Sequence, residues 1–365
     1  MNILIVKLSA IGDVVHTLPS LSALRKLYPH AHIAWVIEEA ASDLIKDHPY
    51  LDCVIVSRRK RWVQELKKGR LSVLKEIIEF IRTLRSIRYD LVIDFQGLLK
   101  SSVIVFLARA KRKLGYKSMQ ELSGLFLNEK IPEDMNKHAV CRYLDFVSHL
   151  SRTYFTEYKE VPELEYCEEG RAEFLIPVGE REEKKVAGLL ESKGVAVKKF
   201  VAVNPVALWV TKLWDDESFA RLCDLILHEY KVPVVFTGTE KKEISRIQAC
   251  MKTTAINLAG ETSLRELACL YRQAAVVVTT DSGPMHIAAA VGAPVAALFG
   301  PTDPIRTGPY GKGHRVIRSN LSCSPCFLKK CPTGECMHQI SVDEVFHAVG
   351  DLLMTQNIIF SPCIP

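Results

Sequence analysis

The sequence predicts an α/β protein of two Rossmann-like domains, each a parallel sheet wrapped by helices. Two series of short apolar runs alternate with helical patterns, and a polar, acid-rich stretch separates the series. Most runs end at Gly, Pro or Asp, the turn chemistry that closes a buried strand. A chain of 365 residues suits two domains of ordinary size.

The first series is "NILIVKL" (2 to 8), "HIAWVIE" (32 to 38), "CVIVS" (53 to 57) and "DLVIDF" (90 to 95). Between the last two, Leu71, Leu74, Ile77, Ile78, Ile81, Leu84 and Ile87 predict one apolar helix stripe with a largely basic opposite side. From 152 to 195 the texture turns acidic and polar ("TEYKEVPELEYCEEG", "GEREEKKVAGLLESKG"), which marks a domain boundary. The second series is "FVAVNP" (200 to 205), "VPVVFTG" (232 to 238), "AINLAG" (255 to 260), "AAVVVTTD" (274 to 281) and "APVAALFG" (293 to 300). Amphipathic helices lie between them, as in "DESFARLCDLILHEY" (216 to 230) and "LAGETSLRELACLYRQA" (258 to 274). The expected domains are 1–165 and 185–345, with 346–365 as a C-terminal tail or helix.

Hydrophobic content of 48% and charged content of 25% describe a globular chain. "MNILIVKLSAIGD" lacks the layout of a signal peptide, and the best apolar stretch, "HIAAAVGAPVAALFG" (286 to 300), is broken by Gly292 and Pro294. A soluble, cytoplasmic protein is expected, its eleven cysteines mostly reduced. The net charge of +6 is modest but uneven. "RRKRW" (58 to 62), "KKGR" (67 to 70), Arg82, Arg85, Arg88 and "RAKRK" (109 to 113) crowd the first third. They suit an anionic partner, a phosphorylated lipid or a membrane surface, or else form a solvated basic face. No nucleic-acid-binding signature is present, so nucleic acid is not an expected partner.

The stretch "SAIGDVVHTLP" leaves the first strand through Gly12 and puts Asp13 at the mouth of a helix, as a cap or as a working group. In "TTDSGPMHIAAAVGAPVAALFGPTDP" (279 to 304) a strand ends at Asp281, Ser282 and Gly283 turn, and a helix opens at Pro284. Such a helix end seats a phosphate or diphosphate, and His286 adds a donor one turn in. The alternative is a capped helix with a buried histidine. Thr302 and Asp303 follow the next strand and favour the ligand reading. Lys212 is the one cation in the "NPVALWVTK" loop, a partner for diphosphate oxygens or a surface lysine. In "FTGTEKKE" (236 to 243) an acid beyond the strand is placed to accept from ribose hydroxyls. No GxGxxG follows a strand, no GxxxxGK[ST] occurs, and "IGD" is no GxSxG elbow. Dinucleotide dehydrogenases, P-loop NTPases and α/β-hydrolases are thereby disfavoured.

Cys323, Cys326, Cys331 and Cys336 lie within "CSPCFLKKCPTGECMH" and predict a structural zinc or iron knuckle, with two disulfides or free thiols as alternatives.

The set "VKLSAIGDVVHTLP", "DFQGLLKSS", "NPVALWVTKLW", "DSGPMHIAAAVGAP" and "LFGPTDP" resembles family 9 glycosyltransferases, the lipopolysaccharide heptosyltransferases, in order over nearly the whole chain. "DFQGLLKSS" and "RRKRW" are most similar to the type that adds the first heptose to Kdo. The resemblance implies a GT-B architecture: an N-terminal acceptor domain, a C-terminal ADP-heptose domain and a cleft between them. It implies inverting transfer, no catalytic cofactor, a Kdo-lipid A acceptor, and peripheral attachment to the anionic inner face of the inner membrane. Matched by position, Asp13 is the base, and Asp281, Ser282, Gly283, His286 and Lys212 take the donor diphosphate. Thr262 lies near adenine, and Glu243, or by another alignment Glu240, takes the ribose. Gln96, Gly97, Lys100 and Ser101, with Arg58, Arg59 and Arg61, serve the acceptor. The chain departs from the family at Val206, Ala207 and Leu208, where glycine or hydroxyl residues are common, so backbone N–H groups would replace hydroxyl contacts there.

Overall fold

The computed structural model describes residues 1–118, 123–157 and 172–358. The chain divides into two compact units, Met1–Pro177 and Val178–Pro365. The acidic stretch expected at the boundary lies outside the described residues from 158 to 171, as does the tail beyond 358.

In the first unit, β1 (Asn2–Val6), β2 (His32–Glu38), β3 (Cys53–Ser57), β4 (Tyr89–Asp94), β5 (Ala110–Tyr116) and β6 (Glu129–Ile131) form one sheet ordered β3-β2-β1-β4-β5-β6. Every pairing is parallel. Ile3, Leu4, Ile5 and Val6 are fully buried, because helices cover both faces of a parallel sheet. Helices Ile11–Leu27 and Ala139–Glu157 pack on each other. Helices Val73–Arg85 and Leu99–Leu107 share a different core, joining Leu84, Ile104 and Val105 to Leu4, Val6 and Leu8. The strand order reverses between β1 and β4, which makes their C-terminal ends the switch point for a ligand.

The helix expected to carry the stripe from Leu71 to Ile87 runs Val73–Arg85, so Leu71 and Ile87 lie outside it; Leu84 is buried, whereas Leu71, Leu74 and Ile78 are exposed. Most of the basic run 109–113 lies in β5, with its side chains exposed or half-buried. Arg112 there forks onto Glu129 through two 2.9 Å bonds.

In the second unit, β7 (Val201–Asn204), β8 (Val234–Phe236), β9 (Ile256–Asn257), β10 (Val276–Thr280), β11 (Val295–Phe299) and β12 (Arg315–Arg318) form a second parallel sheet ordered β12-β11-β10-β7-β8-β9. Its switch point lies between β10 and β7. The helix read within 258–274, with its entry at Glu261 to Ser263, runs Leu264–Arg272. Ser263 caps it reciprocally with Glu266: Glu266 Oε2 accepts the Ser263 N–H at 2.7 Å, and Ser263 Oγ accepts the Glu266 N–H. Gly260, at φ +71, makes the preceding turn and donates its N–H to Gly238 O at 2.7 Å. Helix Val342–Thr355 packs against β10, β11 and β12 and closes this core with Val345, Val349 and Leu353. No helix among the described residues is long and apolar enough to cross a membrane.

Candidate active site

At the switch point of the first unit, Asp13 sits in the first turn of helix Ile11–Leu27 and is partly exposed. Its Oδ2 accepts the Ala10 N–H at 3.0 Å. Its Oδ1 accepts the Tyr143 hydroxyl at 3.2 Å and lies 3.9 Å from Lys7 Nζ. Lys7 is buried at the end of β1 and donates to Tyr143 Oη at 2.6 Å and to Phe95 O at 2.9 Å. Burial pushes the Lys7 ammonium below its usual pKa, opposed by the charges of Asp13 and Asp94. Burial likewise raises the Asp94 carboxyl, against the N–H groups of Gly97 and Gln96 and the Ser101 hydroxyl. Asp13 thus both accepts the N-cap N–H of its own helix and is a carboxylate fixed by a tyrosine and a lysine. Neither Lys7 nor Tyr143 follows from local sequence pattern, because Tyr143 comes from a helix far along the chain.

The other residues expected at this end divide into two groups. Gln96 Oε1 accepts the N–H groups of Leu8 and Ser9, each at 3.0 Å, and so pins the loop that leads to Asp13. Gly97, at φ +66, turns the chain after β4. Lys100 reaches Ser9 Oγ and lies 3.5 Å from Glu38 Oε1. Glu38, buried at the end of β2, also takes Arg59 at 3.2 Å and Lys60 at 3.8 Å, so three cations surround one carboxylate. That cluster keeps a positive excess beside Asp13's loop. Arg58 pairs with Glu39 at 2.8 Å, and Arg61 pairs with Glu76. Ser101 is fully buried and donates to Asp94 Oδ2 at 2.9 Å, a support of the turn rather than a surface contact. Glu38, like Lys7, escaped the sequence reading: it ends an unbroken apolar strand and carries no motif.

At the switch point of the second unit, Asp281 follows β10, Lys212 follows β7 and Thr302 follows β11. Lys212 Nζ and Thr302 Oγ1 both donate to Asp281 Oδ2 at 2.6 Å. Asp281 is nearly buried and Lys212 mostly so, and the ammonium lies 4.5 Å above the Trp209 ring. Ser282 ends the strand in extended backbone, and helix Gly283–Ala290 opens with Pro284, leaving its first N–H groups toward this end. His286 is buried one turn in. Glu243 stands in the first turn of helix Lys241–Cys250 after β8, 3.7 Å from Arg246, and Thr262 stands half-buried in the turn after β9. All these loops leave one edge of one parallel sheet, and Lys212, Asp281 and Thr302 are in direct contact there. Leu208, where a hydroxyl was lacking, is 92% exposed, while the backbone oxygen of Val206 accepts the Thr280 hydroxyl at 3.3 Å.

The zinc or iron knuckle expected at Cys323, Cys326, Cys331 and Cys336 finds no support in the described residues. Among the described residues no three His, Cys, Asp or Glu side chains are grouped to hold a metal. All four thiols are free. Cys336 is buried, with its Sγ 3.0 Å from where a Cβ on Gly300 would lie, whereas Cys323 and Cys331 are exposed. Cys331 Sγ accepts the Gly334 N–H at 3.4 Å, and backbone donors there hold its thiol below the usual pKa. The segment clamps the loop after β11 instead. Ser324 Oγ donates to Gly300 O at 2.6 Å, the N–H groups of Cys326 and Phe327 share Pro301 O, and Thr211 Oγ1 donates to Leu328 O at 2.8 Å. It thereby braces the turns that carry Thr302 and Lys212. Elsewhere Cys141 is disulfide-bonded, which departs from the expectation of mostly reduced cysteines at that position.

The chain matches glycosyltransferase family 9 (heptosyltransferase) over residues 77–337. It is 29% identical to lipopolysaccharide heptosyltransferase 1 of Pseudomonas aeruginosa over 92% of this chain and 89% of that one. It is 25% identical to lipopolysaccharide heptosyltransferase 3 of Escherichia coli over 82% of each. The solved E. coli heptosyltransferase WaaC with ADP matches with a TM-score of 0.74 at 25% identity, covering 96% of this chain and 100% of that one. The fold is of the GT-B class. With a match spanning well over half its length, the chain belongs to glycosyltransferase family 9 and is a glycosyltransferase.

Proposed function

We propose that this glycosyltransferase moves heptose from ADP-L-glycero-D-manno-heptose to the Kdo of lipid A, the first heptose of the lipopolysaccharide inner core, with inversion at the anomeric carbon. The observation that carries this reading is the held carboxylate of Asp13, anchored by Ala10 and Tyr143 beside the Lys7 ammonium at a sheet switch point. Asp13 takes the proton of the attacking Kdo hydroxyl as the new C–O bond forms. The bond from the anomeric carbon to the diphosphate breaks, and its electron pair leaves with ADP. Negative charge near the centre also favours the oxocarbenium-like sugar.

The donor diphosphate is assigned to Lys212, Ser282, Gly283 and the helix N-terminus at 283, with His286 as a further donor. Asp281 holds Lys212 in place, and Thr302 shares that oxygen. A preorganised cation and free N–H groups stabilise a departing diphosphate without a metal. Glu243, or Glu240, is assigned to ribose and Thr262 to the base. Arg58, Arg59, Arg61, Gln96, Gly97 and Lys100 are assigned to the acceptor side, with Ser101 behind them. The relatives named heptosyltransferase 1 support the first-heptose role, while those named heptosyltransferase 2 and 3 match at similar identity. The enzyme is proposed to work on the cytoplasmic face of the inner membrane, where the anionic lipid acceptor lies.

ADP release from ADP-heptose, with and without Kdo2-lipid A, tests the reading. Release that requires this acceptor supports it. Donor binding without release, relieved by a core already carrying one heptose, moves the enzyme to a later transfer. Hydrolysis or isomerisation of the donor alone overturns transfer.

A further inference from the structure

Helix Leu99–Leu107 is apolar on both sides. Ile104 and Val105 face the sheet and are buried. Leu99, Val103 and Phe106, at helical spacing on the opposite side, are 53%, 51% and 59% exposed. A helix apolar all round is ordinarily covered on all sides. Its neighbour Val73–Arg85 repeats the pattern, with Val73 and Leu84 inward and Leu74 and Ile78 outward. The two helices touch and share one core on one face of the sheet, so their outer sides lie together. Helix Leu99–Leu107 also packs on the short turn Ser123–Phe126, where the Phe126 ring meets Phe106 at 4.7 Å.

The segment that contains both helices is rich in cations. Residues 58–113 hold sixteen Lys and Arg against five Asp and Glu, whereas the whole chain carries only +6. The remainder of the chain is therefore net acidic. Lys75, Arg82 and Arg85 project from the helix that exposes Leu74 and Ile78, and all three are exposed. A second copy of the chain would bring the same cationic excess against this one and be repelled. Exposed aliphatic side chains beside Lys75, Arg82 and Arg85, with Glu79 the one exposed acid on that helix, match the headgroup boundary of an anionic bilayer, which takes both at once.

We propose that the outer sides of helices Val73–Arg85 and Leu99–Leu107 form one bilayer-docking face, with Leu74, Ile78, Val103 and Phe106 entering the headgroup–acyl boundary and the surrounding Lys and Arg binding anionic headgroups. The proposal gives a surface to the membrane partner in the function proposed above. Its test needs neither donor nor acceptor, so the two readings fail separately.

The test is co-flotation with phosphatidylcholine vesicles, with and without phosphatidylglycerol. The chain should bind the anionic vesicles, and added salt should weaken binding without abolishing it, since the apolar part is unscreened. Val103→Glu with Phe106→Glu should lower partitioning by about ten-fold or more while ADP affinity holds and the melting temperature falls only by the lost Phe106–Phe126 ring contact. Arg82→Glu with Arg85→Glu should remove mainly the salt-sensitive part. Equal binding to neutral and anionic vesicles, or unchanged binding in the Val103/Phe106 variant, overturns the proposal. So does a sedimenting dimer that this variant dissociates, which would assign the face to self-association.

Discussion

Lys7 and Asp13 hold one tyrosine hydroxyl between them: Lys7 Nζ donates to Tyr143 Oη at 2.6 Å, and Tyr143 Oη donates to Asp13 Oδ1 at 3.2 Å. The hydroxyl's proton is committed to Asp13 because the ammonium occupies its lone pair. The carboxylate keeps a fixed orientation and its second oxygen is held by Ala10. This is the preorganisation a general base requires.

Asp13→Asn should keep the fold and ADP affinity and lose about 10²–10⁴ in kcat. The amide still fills the site but accepts no proton. Steady-state rates beside a melting curve decide it, and unchanged turnover removes Asp13 from the chemistry.

Lys7→Met should lower kcat and move the acid limb of kcat/KM to higher pH, since a cation that favours the ionised carboxylate is gone. Tyr143→Phe should lower kcat by about ten-fold with less displacement of that limb, because it removes one neutral hydrogen bond and no charge. A pH–rate profile of each variant separates positioning from mere loss of stability.

Lys212→Met leaves the buried Asp281 carboxylate without its cation and close to where a diphosphate would sit. ADP affinity should fall by roughly thirty-fold or more, a cost of about 2 kcal/mol. Adding Asp281→Asn should restore thermal stability, because no lone charge stays buried, but not ADP affinity. Calorimetry on the double-mutant cycle checks both halves.

His48 links acid to the stability of the first unit. It is buried, its Nδ1 accepts the Tyr50 N–H at 3.1 Å, and its Nε2 lies 3.1 Å from Leu175 O. That pattern fits the neutral ring. Burial pushes its pKa from 6.5 down to about 4, against the Leu175 carbonyl and the Glu173 charge. The unfolded chain therefore binds the proton first as pH falls. Stability from the neutral ring is whole above about pH 6.5 and drains away toward about pH 4, by up to about 3 kcal/mol. Urea titrations across that range should show the slope, and His48→Gln should flatten it.

Gly300→Ala should destabilise the second unit by about 1–3 kcal/mol. Its Cβ would lie 2.6 Å from Met337 Sδ and 3.0 Å from Cys336 Sγ, both in the core. Because Thr302 follows in the same turn, ADP affinity should drop as well. A thermal shift with and without ADP reads the two effects apart.

The strand runs and the sheet edges from which Asp13 emerges in the first unit and Lys212 and Asp281 in the second were legible because apolar runs and turn residues are local signals. β5 and β12 were not, since "AKRKLGY" and "RVIR" place cations on strands with exposed sides. Lys7, Glu38 and Tyr143 were invisible for a different reason. Their roles arise when β1, β2 and a later helix meet, and no spacing encodes that meeting. The cysteines were legible as a cluster and not as a metal site: the Cys323, Cys326 and Cys331 thiols lie near enough to act on Cys336, yet among the described residues no three side chains are grouped to hold a metal. The helix stripe at 71–87 was legible as a helix, but periodicity reports an apolar face and not what covers it.

The clamp of residues 324–328 on Gly300, Pro301 and Thr211 also has a meaning for the chain during synthesis. Translation proceeds from the first residue, so the strand carrying Asp281 and the loop carrying Lys212 emerge well before the segment that braces them. A ribosome-bound chain ending just after β11 would hold Lys212, Asp281 and Thr302 without their brace. The proposed nucleotide seat is then a late product of biogenesis, and ADP capture by stalled chains of increasing length should appear only once the segment through Ile340 has left the ribosome.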